Sequence, residues 1–414
     1  MPHPQVPSDK SSHRLRCLCL AMLCERMAAF ALISTAVQMF SVRLGFSADD
    51  SLRIYGLFSA ACYLGAIPGG YILDHVALNR RAFVASLLPL LLGYLALAIP
   101  YRAAALLGLT LLALGHSVYK PSVQRIVGTL FPPTDSRLER AQVLIHLAIN
   151  LGAAAGSFLA GILVRYAGWE ITYAGAALAV GIGIAFLDTS VPEDSIACFP
   201  SKESIPMDDA VPSNRSLRTI MSLHLAMLLF TLVTAQIEGA LLLWADKHTD
   251  RFLFGFEFPI AWLITLAAIL VLVLSPVQLF LLPKMSRIIS TQRFVACGLA
   301  FGSLCFAFLV PAAQTMDRTS IAWPLLSILC FVLAELLIAP LGLALLHRST
   351  PKQFLGLVTG LWYGVGALGY FVGGEVGTLW SRWPVQNVLV VLTILPLLGA
   401  VVLWFTKERQ KRAP

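Results

Sequence analysis

Charge is what this chain has least of. Only 13% of its 414 residues are Asp, Glu, Lys or Arg, while 58% are hydrophobic; a soluble domain carries about 25% charged residues. That scarcity excludes an ordinary soluble protein. Strict polar–apolar alternation is missing as well, and a membrane barrel needs it in every strand. What remains is a helical integral membrane protein, with apolar segments of roughly 20 residues or more that can cross the hydrocarbon core. The eight cysteines contain no Cys-x-x-Cys pair and no Cys/His ligand set. They read as small buried residues, with no disulfide framework, metal or cofactor expected. No nucleophile, base and orienting group stand together, so the chain does not read as an enzyme. Its net charge of +8 comes without a basic stripe on a soluble face. Nucleic acid is therefore not an expected partner; Lys and Arg in loops orient helices. No cleavage site follows the first apolar segment, which is expected to stay behind the polar tail of Lys10, Arg14 and Arg16.

Twelve apolar spans can be drawn, over 16–42, 51–74, 82–100, 103–130, 138–165, 169–188, 217–245, 258–283, 292–312, 320–346, 354–380 and 385–406. The loops between them are short except for 189–216, which holds Pro192, Pro200, Pro206 and Pro212 among acidic residues. That composition is a flexible linker's. The expected domains are a tail over 1–15, a six-helix bundle over 16–188, the linker, a second six-helix bundle over 217–406 and a tail over 407–414. Twenty Lys and Arg then fall on the side of the termini and the linker, eight on the other side, and Arg26 and Lys120 inside the membrane. By the positive-inside rule both termini are cytoplasmic.

The charges left inside are the candidate functional groups, because a charge at bilayer depth costs several kcal/mol. Glu25-Arg26 lie side by side in the first span. Lys120 precedes Pro121 in the fourth, where the proline frees a backbone carbonyl and can kink the helix. Glu238 stands in the seventh span and Glu335 in the tenth. With Glu25, Glu238 and Glu335 ionised against Arg26 and Lys120, the interior keeps one negative charge in excess. One carboxyl should then hold a proton in some state, as a proton-coupled carrier requires. His116, His146 and His224 are possible relays, although such residues more often serve as neutral hydrogen-bonded helix positions.

Twelve helices in two halves is the layout of the major facilitator superfamily, which places substrate near the midplane between halves. Gly69-Gly70-Tyr71-Ile72-Leu73-Asp74-His75 followed by Arg80-Arg81 resembles its loop G-x-x-x-D-R-x-G-R-R, with His75 and Leu78 in place of Arg and Gly. Asp74, Arg80 and Arg81 are the expected cytoplasmic gate. More specifically, the chain is similar to the proton-dependent oligopeptide transporter family over nearly its whole length. Glu25-Arg26 match E-x-x-E-R-F-x-Y-Y; Gly115, Lys120 and Pro121 match G-x-G-x-x-K-P-N; Ile149-Asn150-Leu151-Gly152 matches I-N-x-G. Gly168-Trp169, Gln236, Asp246-Lys247, Glu335 with Pro340-Leu341-Gly342-Leu343, and Gly360-Leu361-Trp362 follow in the family's order. The resemblance implies proton coupling and substrate binding at Glu25, Arg26 and Lys120, and a contact from Glu335 to a peptide amino terminus. Phe30, Tyr63, Asn150, Gln236, Trp262 and Trp362 are expected to line the pocket.

The departures point to an altered substrate. Met22 replaces the motif's first Glu, Ala29 and Phe30 its two tyrosines, and Ile33 a basic residue that in the family helps hold the peptide carboxylate. Ala235 replaces the seventh span's Glu, Ala267 the eighth span's Asn, and Ser122 the Asn after Lys-Pro. Residues 22, 25/26, 29 and 33 share one helix face, so the cavity should be wider and more apolar. Glu238 lies on the same face as Ala235, about 4.5 Å along the axis, and could stand in for the lost acid as a partner of Lys120. The expected function is proton-driven symport of a peptide or peptide-like solute, with protons as the only coupling ion. The expected setting is a bacterial inner membrane, with the chain acting as a monomer in the bilayer. Two readings stay open beside it: an exporter of amphipathic compounds, and a relative that binds but does not translocate.

Overall fold

The computed structural model describes residues 8–75, 84, 87–131, 138–190, 214–253, 255–285, 289–315, 318–351 and 354–405. Nearly all of them are helical. Ten helices among the described residues are long and apolar enough to cross a membrane, and Leu88–Ala98 is a shorter apolar helix. In hydrocarbon every backbone polar group must be satisfied within its own segment, and a helix does this. The exceptions are four two-residue strands in connections: Thr249–Asp250 pairs in parallel with Thr319–Ser320, and Phe252–Leu253 pairs antiparallel with Phe256–Glu257.

The chain divides into two compact units. One comprises 1–44 and 64–201; the other comprises 45–63 and 202–414. The short stretch 45–63, early in the sequence, groups with residues far along the chain.

In the first unit the Ser8–Gln38 helix packs along Leu138–Tyr166 and Gly168–Ser190. Small residues permit the closeness: a Cβ on Gly156 would collide with the Met27 carbonyl, and one on Gly152 with the Leu23 carbonyl and Arg26 Cβ. A π-turn over Met39–Arg43 follows this helix and ends on Arg43. Its guanidinium donates to the Leu97 and Ala98 carbonyls at 3.0 and 2.7 Å and to Glu170 at 2.7 Å. A cation thus meets the last carbonyls of the Leu88–Ala98 helix, the end where it is favoured.

In the second unit Thr291–Ala307 packs on Ala322–Ser349 and Val385–Phe405, and Asn214–Ala235 packs on Leu355–Gly377. The Ala48–Leu64 helix runs antiparallel to Leu355–Gly377. The contacts follow in register: Asp49 with Arg382, Arg53 with Glu375, Gly56 with Gly374, Tyr63 with Tyr370.

Several expected spans are interrupted. The second breaks into Ala48–Leu64 and Ala66–His75. Pro68 explains the break, since its ring would clash with the Leu64 carbonyl in a continuous helix. The seventh runs Asn214–Ala235, a π-turn over Gln236–Ala240, then Leu241–His248. The eighth begins only at Trp262, because Phe258-Pro259 still belong to the connection. Around Lys120, by contrast, the Arg102–Leu130 helix stays continuous. Pro121 offers no N–H to the Ser117 carbonyl, and at that carbonyl Gly69 makes its approach. A glycine there lets the Ala66–His75 helix close on the exposed backbone oxygen.

Candidate functional site

The first unit holds a buried polar group built on Glu25. Its carboxylate takes two parallel bonds from the adjacent Arg26, Nε to Oε2 and Nη2 to Oε1, both 2.5 Å. Such paired geometry makes a strong charge-assisted contact. Glu25 is only 3% exposed. His116 Nδ1 lies 3.4 Å from Glu25 Oε1. The Tyr119 hydroxyl, one turn along the Arg102–Leu130 helix, donates to Met22 Sδ at 3.2 Å. The thioether at residue 22 is thus a weak acceptor where a carboxylate would be a strong one. Arg26 is held in place by Gly152, whose missing side chain admits the Arg26 Cβ. Asn150 is buried and donates to the His146 carbonyl at 3.0 Å, with His146 Nε2 at 3.2 Å. Phe30 is half-buried on the first helix, one turn beyond Arg26. The side chains of Lys120 and of the expected gate residues Asp74, Arg80 and Arg81 lie outside the described residues.

The second unit holds two carboxyls. Glu238 sits in the π-turn, and its Oε2 accepts hydroxyls from Tyr55 at 2.7 Å and Tyr370 at 3.1 Å. Ala235 packs in one cluster with Ala60, Ala367, Tyr370 and Tyr63, so Ala235 and Glu238 both face Tyr370. Tyr63 packs on Tyr370 with the rings tilted and their centres 5.3 Å apart, and lies in the field of both Glu238 and Glu335. Glu335 is half-buried in the Ala322–Ser349 helix, close enough to Glu238 for their charges to repel. Among the described residues it makes no ion pair. Trp362 is 3% exposed, lies against Gly342, and meets the His224 ring edge-on at 6.1 Å.

Two expected pocket residues have other surroundings. Gln236 is fully buried with its amide committed at both ends: Nε2 donates to the Gly373 carbonyl at 2.7 Å, and Oε1 accepts from Trp380 Nε1 at 3.1 Å. It ties the π-turn to the Leu355–Gly377 helix. Trp262 stacks on Phe256 at 5.6 Å and meets Phe258 edge-on at 5.5 Å, at the start of its helix. The structure brings Tyr63, Glu238 and Glu335 together, and Trp362 with His224.

Sequence reasoning missed Tyr55 and Tyr370 as donors to Glu238, and His116 as the neighbour of Glu25. One signal was available: a tyrosine inside an apolar span needs an acceptor for its hydroxyl. Among the described residues no group of His, Cys, Asp and Glu could hold a metal ion.

Comparisons with known proteins agree with this architecture. The description of the Major Facilitator Superfamily matches residues 18–374. A peptide transporter of Yersinia enterocolitica, YePEPT, is 24% identical, with 87% of this chain and 89% of the relative aligned. Dipeptide and tripeptide permease B of Edwardsiella piscicida is 23% identical, over 86% of this chain and 84% of the relative. Among solved structures, a peptide transporter POT in complex with sulfate superposes with a TM-score of 0.86 at 21% identity, covering 97% of this chain and 95% of the other. A POT family transporter in complex with 5-aminolevulinic acid gives 0.84 at 17% identity, with 94% of each chain covered.

Proposed function

The chain belongs to the Major Facilitator Superfamily, and from that premise we propose that it is a secondary active transporter, moving a peptide or peptide-like solute together with protons by alternating access. The observation that carries this reading is the pair of intramembrane carboxyls in the second unit. Glu238 stands under the Tyr55 and Tyr370 hydroxyls and Glu335 makes no ion pair among the described residues, so two carboxyls share one apolar helix bundle at bilayer depth, where charge is expensive. A site that favours one proton over none, and that changes when a cationic group arrives, can couple proton and solute. Glu335 is the group proposed to meet the solute's amino terminus, and Trp362 and Tyr63 to line its path. Glu25, Arg26, Lys120 and Glu238 are proposed to carry the coupling. The solved relative bound to 5-aminolevulinic acid, a small amino acid, supports a ligand bearing both an amine and a carboxylate. Gln236 is better suited to framing the π-turn than to touching solute.

The proposal includes twelve spanning helices in two bundles of six, cytoplasmic termini, a cytoplasmic gate of Asp74, Arg80 and Arg81, an inner-membrane location and action as a monomer. Protons are the only coupling ion it requires. Met22, Ala29 and Ile33 along the Glu25 face favour a second reading, an exporter of amphipathic compounds.

Uptake of labelled di- and tripeptides into proteoliposomes tests this. Accumulation driven by an imposed pH gradient is expected. Flux only in the outward sense would favour the exporter, and binding without flux across a broad panel would leave a non-translocating relative.

A further inference from the structure

By the family resemblance Met22 stands where an acid is expected on the Glu25 face, and the titratable side chain beside Glu25 is a histidine. His116 enters from the Arg102–Leu130 helix with Nδ1 3.4 Å from Glu25 Oε1. It is 5% exposed, and it is the one buried histidine among the described residues. Among the described residues, the groups with charge or titratable protons around this pair are few. The first helix contributes Cys24, Glu25 and Arg26; the Leu88–Ala98 helix contributes Tyr94, in the field of Arg26; the histidine's own helix contributes Tyr119. Tyr119 directs its hydroxyl to Met22 Sδ. Phenols ordinarily titrate near pH 10 and thiols near 8.5. Arg26 is matched to the carboxylate form of Glu25 by its two parallel bonds. The imidazole is the member whose ordinary range covers neutral pH.

We infer that His116 and Glu25 form a proton-carrying pair in the first unit, in place of the acid lost at residue 22. This rests on the proton-coupled reading above and names a residue that reading does not use. One proton binds the pair, which then holds imidazolium beside carboxylate. The same proton leaves to regenerate neutral His116 and the Glu25–Arg26 ion pair. Tyr119 and Met22 take no part in the transfer.

The test is the ratio of peptide uptake with an imposed pH gradient to uptake without one. In His116→Gln and His116→Asn that ratio should collapse towards unity. A merely structural role would lower both rates and leave the ratio unchanged, and an unchanged ratio overturns the inference. A wild-type protein that ignores the gradient would instead sink the transport reading itself. Should neither variant fold, isotope-labelled histidine spectra of the wild-type protein decide the matter. A buried imidazole that gains its proton between about pH 5 and 8 is expected, with its titration displaced in Glu25→Gln. Buried imidazoles that stay neutral throughout that range overturn the pair.

Discussion

At the scale of single residues, the committed groups separate from the available ones. Gln236 has both ends of its amide bonded while fully buried. Gln236→Leu strands the Trp380 N–H and removes a donor from Gly373, at about 1–3 kcal/mol for a buried group left unpaired. A clearly lower melting temperature is expected, with the pH-gradient ratio of uptake retained in the folded fraction. Glu335 is the opposite case, since among the described residues no ion pair uses it. Glu335→Gln should keep the fold, with melting unchanged, yet abolish concentrative uptake; wild-type rates would remove it from the mechanism. Most of the charged residues were legible as candidates from the sequence, because a charge inside an apolar span stands out against its neighbours. Their partners were not. Tyr55 is 183 residues from Glu238 in the chain, and no pattern of spacing conveys such a contact.

At the scale of elements, the sequence shows apolar length well and interruptions badly. Pro68 could have announced the break before Ala66, but the π-turn at Gln236–Ala240 carries no proline to betray a change of helical pitch. That turn puts the Glu238 carboxylate under two tyrosine hydroxyls. Helix contacts are better encoded, in glycines. Gly156→Leu forces a side chain into the Met27 backbone, and overpacking of this kind costs about 1–3 kcal/mol. Reduced thermal stability of the purified protein is the expected outcome, whereas Gly175→Leu, with open space at its position, should be tolerated. The polar end of the Ala48–Leu64 helix gives a pH prediction. Burial opposes the charge on Asp49, but hydrogen bonds from Ser381 and Arg382, with the charges of Arg382 and Arg53, together outweigh it and hold its carboxyl below the usual range. A depressed carboxyl contributes above its unfolded value, near pH 3.9, and loses that contribution as pH falls through the folded value. The Asp49–Arg382 contact should therefore persist from neutral pH down to about pH 4. Distance measurements between labels on these two helices should show no change between pH 7 and 5.

At the scale of the molecule, substrate choice follows from what each unit has kept and lost. The first unit retains Arg26 but carries Ile33 where the resemblance led us to expect a base that helps hold the peptide carboxylate. The second carries Glu335, the group proposed to meet an amino terminus. Recognition should then be lopsided, strict at the amine and lax at the carboxylate. Charge-assisted hydrogen bonds contribute about 1.5–3 kcal/mol, roughly a tenfold to hundredfold change in affinity. Acetylating the amino group of a transported dipeptide should cost that much. Amidating its carboxyl terminus should cost far less. The apolar face of Met22, Ala29 and Ile33 adds a gradient in side-chain size. Each buried methylene is worth about 0.8 kcal/mol, or about fourfold in affinity, so competition should strengthen along a series from Ala to Leu to Phe side chains. Competition assays in proteoliposomes, with the amine-blocked, carboxyl-blocked and size series run side by side, check all of this. Equal losses from blocking either end would mean that a second cation holds the carboxylate, and that the loss at residue 33 has been compensated elsewhere in the chain.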